Sequence, residues 1–159
     1  MNYWQFSVHA PFAAKPELIE KYRKKLGNTV AGLSDPKVRE QRLRTHTPAT
    51  GLPQQSPTYA AMVHSLDDAV GSLLDALDAE GLTDDTVIIF YSDNGGNLHC
   101  GLEETDGSGS KYITPITSNH PLRGGKGGIH EGGVRVPAVV VWPGVTRPGS
   151  RSDVRIQAT

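Results

Sequence analysis

The chain has 159 residues, 36% of them hydrophobic, and a formal net charge of −1, which suits one globular domain and gives no reason to expect nucleic acid as a partner. No apolar run approaches the ~18 residues that a membrane span needs, and no signal peptide is recognisable at the N-terminus. The single cysteine, Cys100, excludes an intrachain disulfide and a multi-cysteine zinc site.

The first predicted elements are a strand and a short helix. Residues 3–8 form a largely apolar and aromatic run that starts without lead-in, so we expect the chain to begin inside a domain. Residues 16–26 predict a short basic helix with its apolar side chains on one side. The polar segment 27–55, rich in Pro, Thr and Arg, predicts a long surface loop.

The clearest predicted helix covers residues 57–80. Ser56 can cap its N-terminus, Pro57 suits its first turn, and Gly81 can end it. His64 lies on or beside its apolar face, where a packed, hydrogen-bonded histidine is favoured over a metal ligand. Apolar side chains recur at intervals of three and four, which predicts a face buried in the core: Tyr59, Met62, Val63, Leu66, Val70, Leu73, Leu74 and Leu77.

A charged and an amide side chain follow the next predicted strand. The β-branched and aromatic run 86–91 predicts a strand buried on both faces of a parallel sheet. Asp93 and Asn94 come directly after it, at the strand end where α/β sheets bind ligands, and Gly95 and Gly96 permit a sharp turn. A carboxylate beside an amide oxygen suits Ca²⁺ or Mg²⁺. The same residues are also ordinary turn chemistry, so both interpretations stay open.

The rest of the chain predicts a loop, a glycine-rich segment and a last strand. Residues 97–120 are rich in Gly, Ser and Thr and predict a long surface loop, whereas 136–142 predict a second buried strand. Between them, Lys126 stands among glycines in "LRGGKGGIHEGG", where the backbone can bring it close to an anion. The spacing is not that of a P-loop, and a flexible loop with an incidental lysine is the alternative. The order of elements predicts an α/β fold with a mostly parallel sheet flanked by helices.

Three segments together resemble a known family. "SDNGG", the stretch "PLRGGKGGIHEGGVRVPAVVVWPG" and the helix "SPTYAAMVHSLDDAVGSLLDAL" are similar to the sulfatase family of the alkaline phosphatase superfamily, and the similarity extends over nearly the whole chain. The resemblance implies an arylsulfatase-like sulfuric ester hydrolase. It implies that Asp93 and Asn94 bind the calcium or magnesium ion of the active site. It further implies that Lys126 holds a sulfate oxygen or the bridging oxygen.

The same resemblance assigns roles to three more residues. "SVHAPF" looks like the strand-end segment whose histidine reaches the sulfate, which gives His9 this role. A protonated His9 and Lys126 would then supply positive charge where the leaving alkoxide develops. Glu131 and Arg135 are expected to brace the glycine loop as a buried ion pair. Taken without the family, His9 would equally well be an ordinary histidine at a strand end.

Part of the family's active site has no counterpart in the sequence. Sulfatases carry a Cys/Ser-x-Pro-x-Arg motif whose first residue is oxidised to formylglycine, the nucleophile, and no such motif occurs here. Cys100 lacks the proline and the arginine, and Asp67 and Asp68, which lie inside the predicted helix, cannot replace the family's earlier pair of aspartates. We therefore expect residues 1–159 to be the middle-to-late part of a sulfatase catalytic domain, truncated at both ends and inactive alone.

Two alternatives stay open beside this reading. The chain could be a non-catalytic, truncated remnant that folds and self-associates through an exposed sheet edge. It could also be a fragment of a phosphonate or phosphodiester hydrolase of the same superfamily. In the leading hypothesis the complete enzyme takes a sulfate ester as its substrate. The compartment is unknown from the sequence, although the family is often periplasmic, secreted or lysosomal.

Overall fold

The computed structural model describes residues 1–28, 54–98 and 101–157. Most of the loop predicted at 27–55 therefore lies outside the described residues, as does Cys100. Within the described ranges, no helix is both long enough and apolar enough to cross a membrane. The elements in chain order are α1 (Pro16–Leu26), α2 (Pro57–Ala79), a 3₁₀ turn (Thr83–Asp85), β1 (Ile88–Tyr91), β2 (Gly101–Thr105), β3 (Lys111–Pro115), the single turn α3 (Glu131–Val134) and β4 (Ala138–Val141).

Helix α2 is the longest element and agrees with the helix predicted at 57–80. The Ser56 hydroxyl oxygen accepts a hydrogen bond from the backbone N–H of Tyr59 at 3.0 Å, and Pro57 occupies the first turn, where it needs no N–H partner. The helix is followed by Gly81, whose φ of +66° is a conformation that glycine adopts without strain. The start and end signals in the sequence therefore act as predicted.

Helix α1 packs against α2. The Tyr22 hydroxyl lies 3.1 Å from Nδ1 of His64, and the two rings meet edge to face with centroids 5.8 Å apart. His64 is thus a packed histidine between two helices, in agreement with the prediction. The predicted apolar face of α2 is only partly covered within the described chain, because Val63 and Leu74 keep 43% and 42% of their surface exposed.

The segment 97–120, predicted as a long loop, contains a β-hairpin instead. Strands β2 and β3 pair antiparallel with Glu103 opposite Ile113, and a turn around Asp106 joins them. The Asp106 carboxylate accepts hydrogen bonds from the Ser108 hydroxyl and from the N–H groups of Ser108 and Ser110. These bonds, that from the Ser108 hydroxyl above all, lower the pKa of Asp106. The hairpin cannot be predicted from an alternation of apolar and polar residues, because its inward face is partly polar.

The inward face of the hairpin holds a buried carboxylate. Glu104 is 4% exposed, and it accepts hydrogen bonds from the Ser56 hydroxyl at 2.6 Å and from the N–H and hydroxyl of Thr58 at 3.0 and 3.1 Å. These donors lie at the N-terminus of α2, where helix N–H groups lack partners within the helix. Glu104 therefore joins the hairpin to the start of the helix.

Within residues 1–28, 54–98 and 101–157, the mostly parallel sheet predicted from the apolar runs is not found. Strands β1 and β4 do form at 88–91 and 138–141, but they pair antiparallel with each other, with Ile88 opposite Val141, and residues 3–8 are not a strand. Nor are these strands buried on both faces, since Ile89 is 58% and Val139 55% exposed. An apolar run predicts a strand but carries no information on the direction of its partner, and here the chain returns beside β1 in the opposite sense. The fold is α/β in content, with two antiparallel strand pairs.

Candidate functional site

The turn that follows β1 lies directly against the glycine loop. The N–H of Gly95 donates to the carbonyl oxygen of Gly133 at 2.9 Å, and the N–H of Lys126 donates to the carbonyl oxygen of Gly96 at 3.0 Å. The first bond fixes the turn to the far end of the loop, and the second fixes it beside the lysine. The folded chain therefore brings the Asp93–Asn94 turn next to Lys126, as the resemblance implies.

Glycine is required where the two segments cross. A methyl group added to Gly95 would overlap the carbonyl oxygen of Gly132, and one added to Gly132 would overlap that of Gly124. Gly133 is equally tight, because its added methyl group would overlap the carbonyl oxygen of Gly128. Backbone therefore contacts backbone with no side chain between, which is a close approach that only glycine allows. The close approach expected of glycine at the turn after β1 is found at Gly95, and the glycines at 132 and 133 allow the same on the loop.

The side chain of Asn119 lies between the same two segments. Its Oδ1 accepts from the N–H of Gly96 at 3.0 Å, while its Nδ2 donates to the carbonyl oxygens of Gly96 and Gly124, both at 3.0 Å. Asn119 belongs to no recognisable motif and stands among Thr, Ser and Pro residues that are typical of loops. Its closeness in the chain to the glycine loop was the one available signal, and only the folded structure shows what it contacts.

His9 and Lys126 meet side chain to side chain. Nζ of Lys126 lies 2.6 Å from Nε2 of His9, and Nδ1 of the same ring lies 2.8 Å from the carbonyl oxygen of Ala10. A carbonyl oxygen can only accept, so Nδ1 carries a proton and Nε2 accepts from the lysine ammonium group. The contact therefore brings the two side chains to one place, with Nε2 of His9 facing Nζ of Lys126.

Asp93 and Asn94 offer two oxygen ligands to a cation. Asp93 is exposed, and Asn94 is half-buried, with its Nδ2 donating to the carbonyl oxygen of Gly95 at 2.9 Å. This bond engages the amide nitrogen and leaves Oδ1 as the atom suited to a metal ion. In the part of the chain that the structure describes, no three or more His, Cys, Asp and Glu side chains are grouped as a metal site. Two oxygens fit part of the shell of Ca²⁺, which takes six to eight.

The ion pair expected between Glu131 and Arg135 exists, but it is not buried. Nη1 of Arg135 lies 3.3 Å from Oε1 of Glu131 across the single turn α3, and the two side chains are 63% and 57% exposed. Water therefore screens the attraction, and such pairs contribute at most about 1 kcal/mol. The buried residues of α3 are Gly132 and Gly133, whose contacts with the neighbouring backbone hold the loop in place.

The chain is similar in sequence to known proteins of one family. The family model described as Sulfatase matches residues 4–158. A sulfatase of Formosa agariphila is 42% identical over 100 residues, which is 58% of this chain and 15% of that protein. Steryl-sulfatase of Rattus norvegicus is 41% identical over 95 residues, or 60% of this chain and 15% of the relative. Arylsulfatase H of Homo sapiens is 42% identical over 92 residues, or 57% and 15%. The matched part of the chain thus spans about 15% of the length of these relatives.

Proposed function

The chain belongs to the sulfatase family, and from this premise we propose that it supplies the leaving-group and cation side of an active site that hydrolyses sulfuric esters. The contact between Lys126 and His9, at 2.6 Å, carries the proposal. It joins the two side chains that the family motif assigns to the sulfate, although they come from opposite ends of the chain. The relatives with printed sulfatase names agree with this class of reaction.

Lys126 would bind the sulfate group by charge and hydrogen bonds. A sulfate ester is an anion, and an ammonium group beside it forms charge-assisted hydrogen bonds that are about twice as strong as neutral ones. An oxygen of the ester can take the place of His9 Nε2 as the acceptor for Nζ. The bridging oxygen becomes the leaving alkoxide, and the positive charge of Lys126 stabilises the negative charge that develops there.

His9 would hold the proton that the leaving group needs. Its Nε2 faces Lys126 and is the ring atom that can meet the ester, while Nδ1 stays bonded to the carbonyl oxygen of Ala10. This second bond fixes the orientation of the ring. Once Nε2 is protonated, it can donate to the bridging oxygen as a general acid.

Asp93 and Asn94 would hold a Ca²⁺ or Mg²⁺ ion beside this pair. Such an ion, when bound, polarises the sulfate and stabilises an oxygen nucleophile. The two side chains supply two oxygen ligands on the turn that contacts the lysine loop. Because Ca²⁺ prefers six to eight oxygens, we expect weak affinity for the ion in the chain alone.

The nucleophile is not among the residues of this sequence. No Cys/Ser-x-Pro-x-Arg motif occurs, so the chain has no residue for conversion to formylglycine. The remaining groups can bind and polarise the ester, but they cannot attack sulfur. We therefore propose that the chain binds sulfate without turning over sulfate esters.

Two measurements on the purified chain test this proposal. Titration with inorganic sulfate in millimolar calcium should shift the backbone amide signals of residues 124–128 in NMR spectra, and Lys126→Ala should weaken this binding roughly tenfold, the order expected for a lost charge-assisted hydrogen bond. Lys111→Ala is the matched control, because Lys111 is an exposed lysine that pairs with Glu103. An aryl sulfate assay should give background rates only.

Either of two results would contradict the proposal. Sulfate binding that Lys111→Ala weakens as much as Lys126→Ala would mean that the anion has no specific site at Lys126. Turnover that Lys126→Ala and Asp93→Ala both abolish would show that the chain contains a nucleophile after all. In the complete protein, activity on aryl phosphate esters compared with aryl sulfates would distinguish a phosphodiester or phosphonate hydrolase of the same superfamily.

A further inference from the structure

The amide of Asn119 bonds to both halves of the proposed site. Oδ1 accepts from Gly96 N–H, and the two protons of Nδ2 go to the carbonyl oxygens of Gly96 and Gly124, with all three distances at 3.0 Å. Gly96 follows the Asp93–Asn94 pair closely in the chain, and Gly124 precedes Lys126. One side chain thus satisfies three backbone groups, and it has no donor left over.

The amide of Asn119 lies close against the backbone of Gly96 and Gly125. A methyl group added to Gly96 would lie 2.8 Å from Oδ1 of Asn119, and one added to Gly125 would lie 2.9 Å from its Nδ2. The carbonyl oxygen of Gly96 also accepts from Lys126 N–H at 3.0 Å, so Asn119 and Lys126 share that acceptor. The position of the lysine backbone is therefore coupled to the Asn119 side chain through one oxygen atom.

We propose that Asn119 is a positioning residue that sets the distance between the Asp93–Asn94 pair and Lys126. This inference rests on the function proposed above. A segment with four glycines around Lys126 loses much conformational entropy when it adopts a single shape. The segment has internal bonds, such as that from Gly128 N–H to the Gly125 carbonyl oxygen at 2.9 Å, and Asn119 adds a bond from outside through Nδ2 to the Gly124 carbonyl oxygen. Asn119 acts through the two segments that it joins, not on the sulfate itself.

Two variants test the acceptor and the donors of the Asn119 amide separately. Asn119→Ala removes all three hydrogen bonds. Asn119→Asp keeps an acceptor for Gly96 N–H, but its ionised carboxylate cannot donate and faces two carbonyl oxygens. These oxygens disfavour the charged form, so the carboxyl should protonate at a higher pH than an ordinary Asp and then regain one donor. Asn2→Ala, at an exposed asparagine, is the control.

The experiment follows amide hydrogen exchange and sulfate affinity in the same samples. In Asn119→Ala we expect exchange at Gly96 and Lys126 to accelerate at least tenfold while the amides of α2 exchange as before, and sulfate affinity to fall roughly fivefold to tenfold. For Asn119→Asp, sulfate affinity relative to the wild-type chain should recover as the pH falls from 7 to 4.5. Recovery of sulfate affinity while the amides of α2 exchange as in the wild-type chain is not expected of a residue that only stabilises the fold.

The outcomes distinguish this inference from the function on which it rests. Unchanged exchange at Lys126 in Asn119→Ala, or faster exchange with wild-type sulfate affinity, would overturn the positioning role while leaving the proposed function intact. A wild-type chain that shows no sulfate binding dependent on Lys126 would overturn the proposed function and the positioning role with it. Faster exchange throughout α2 would mean that the variant loosens the whole fold, and this too would overturn the assignment.

Discussion

The contact between His9 and Lys126 joins two side chains that lie 117 residues apart in the sequence. Nδ1 of the ring lies 2.8 Å from the Ala10 carbonyl oxygen, and Nε2 lies 2.6 Å from Nζ of Lys126. These two contacts, one on each ring nitrogen, fix the orientation of the ring.

The buried Tyr112 gives a pH dependence to the stability of the chain. Burial raises its pKa first of all, and the carboxylates of Glu104 and Asp106 raise it further. An unfolded tyrosine ionises near pH 10, so above that pH the unfolded chain loses a proton that the folded chain keeps. The ionisation of Tyr112 should therefore leave the free energy of unfolding unchanged below about pH 10 and lower it above that pH. The raised pKa values of Tyr59 and Lys111 act in the same direction.

Tyr112→Phe tests this assignment by urea unfolding between pH 8 and 11. The variant should lose about 1 kcal/mol at pH 8, since it lacks the hydrogen bond to the Gln55 carbonyl oxygen. Its decline above pH 10 should be shallower than that of the wild-type chain. Tyr91→Phe, at an exposed tyrosine, should keep the wild-type slope. Equal slopes for all three proteins would show that Tyr112 does not control the alkaline limit.

The sequence could name Asp93, Asn94, Lys126 and His9 as candidates because their motifs are short and local. Asn119 could not be found in this way, since its role consists of three bonds to backbone groups that fold around it. The residue type alone does not show which backbone groups a side chain will bond.

At the level of elements, the hairpin and α2 depend on each other through Glu104. Its carboxylate is the acceptor for the Ser56 hydroxyl and for two donors of Thr58 in a buried place. Glu104→Ala should leave these donors without partners and lower the free energy of unfolding by about 2–4 kcal/mol. Glu104→Gln, which retains one acceptor, should have an intermediate effect. Urea unfolding followed by circular dichroism measures both.

The neighbouring Glu103 provides a matched control for Glu104. It is exposed and pairs with Lys111 at 2.8 Å, so Glu103→Ala should cost less than about 1 kcal/mol. Equal losses of unfolding free energy in the two alanine variants would mean that the burial of Glu104 and its bonds to α2 do not add to the stability of the fold.

Elements were predictable to the extent that their signals are local. Helix α2 has a cap, a first-turn proline and an apolar repeat, and its start at Pro57 agrees with the prediction. The strands β1 and β4 were found from their β-branched runs, but their antiparallel pairing depends on the path of the chain between them. The hairpin was missed because Glu104 and Thr114 point inward, which removes the alternation of apolar and polar residues that marks a half-buried strand.

At the scale of the whole molecule, the main feature is the two-stranded ribbon of β1 and β4, whose apolar side chains are not buried in a core. Apolar side chains of both strands are about half exposed, among them Phe90 at 48% and its cross-strand partner Val139 at 55%. An exposed apolar ribbon with open edges is a surface on which other chains can pair. We therefore expect the purified chain to self-associate at concentrations of tens of micromolar.

Sedimentation velocity of substituted chains tests this expectation. The double variant Phe90→Thr and Val139→Thr removes apolar surface from directly paired positions, and it should shift the distribution toward monomer. Val154→Thr changes a valine outside the strands that is 76% exposed, and it should leave the distribution as it is. A monodisperse wild-type monomer at the same concentration would refute the role of the ribbon.

The crossing of the two glycine segments has no side-chain rotamers. Ordinary contacts between segments pass through side chains, and each rotamer change alters their spacing by a fraction of an ångström or more. At Gly95, Gly132 and Gly133 the contact is peptide group against peptide group, and peptide groups are planar and stiff. The direct contact at this crossing therefore does not change with side-chain rotamers, and Asn119 is the side chain that adds rotamer-dependent bonds between the same two segments.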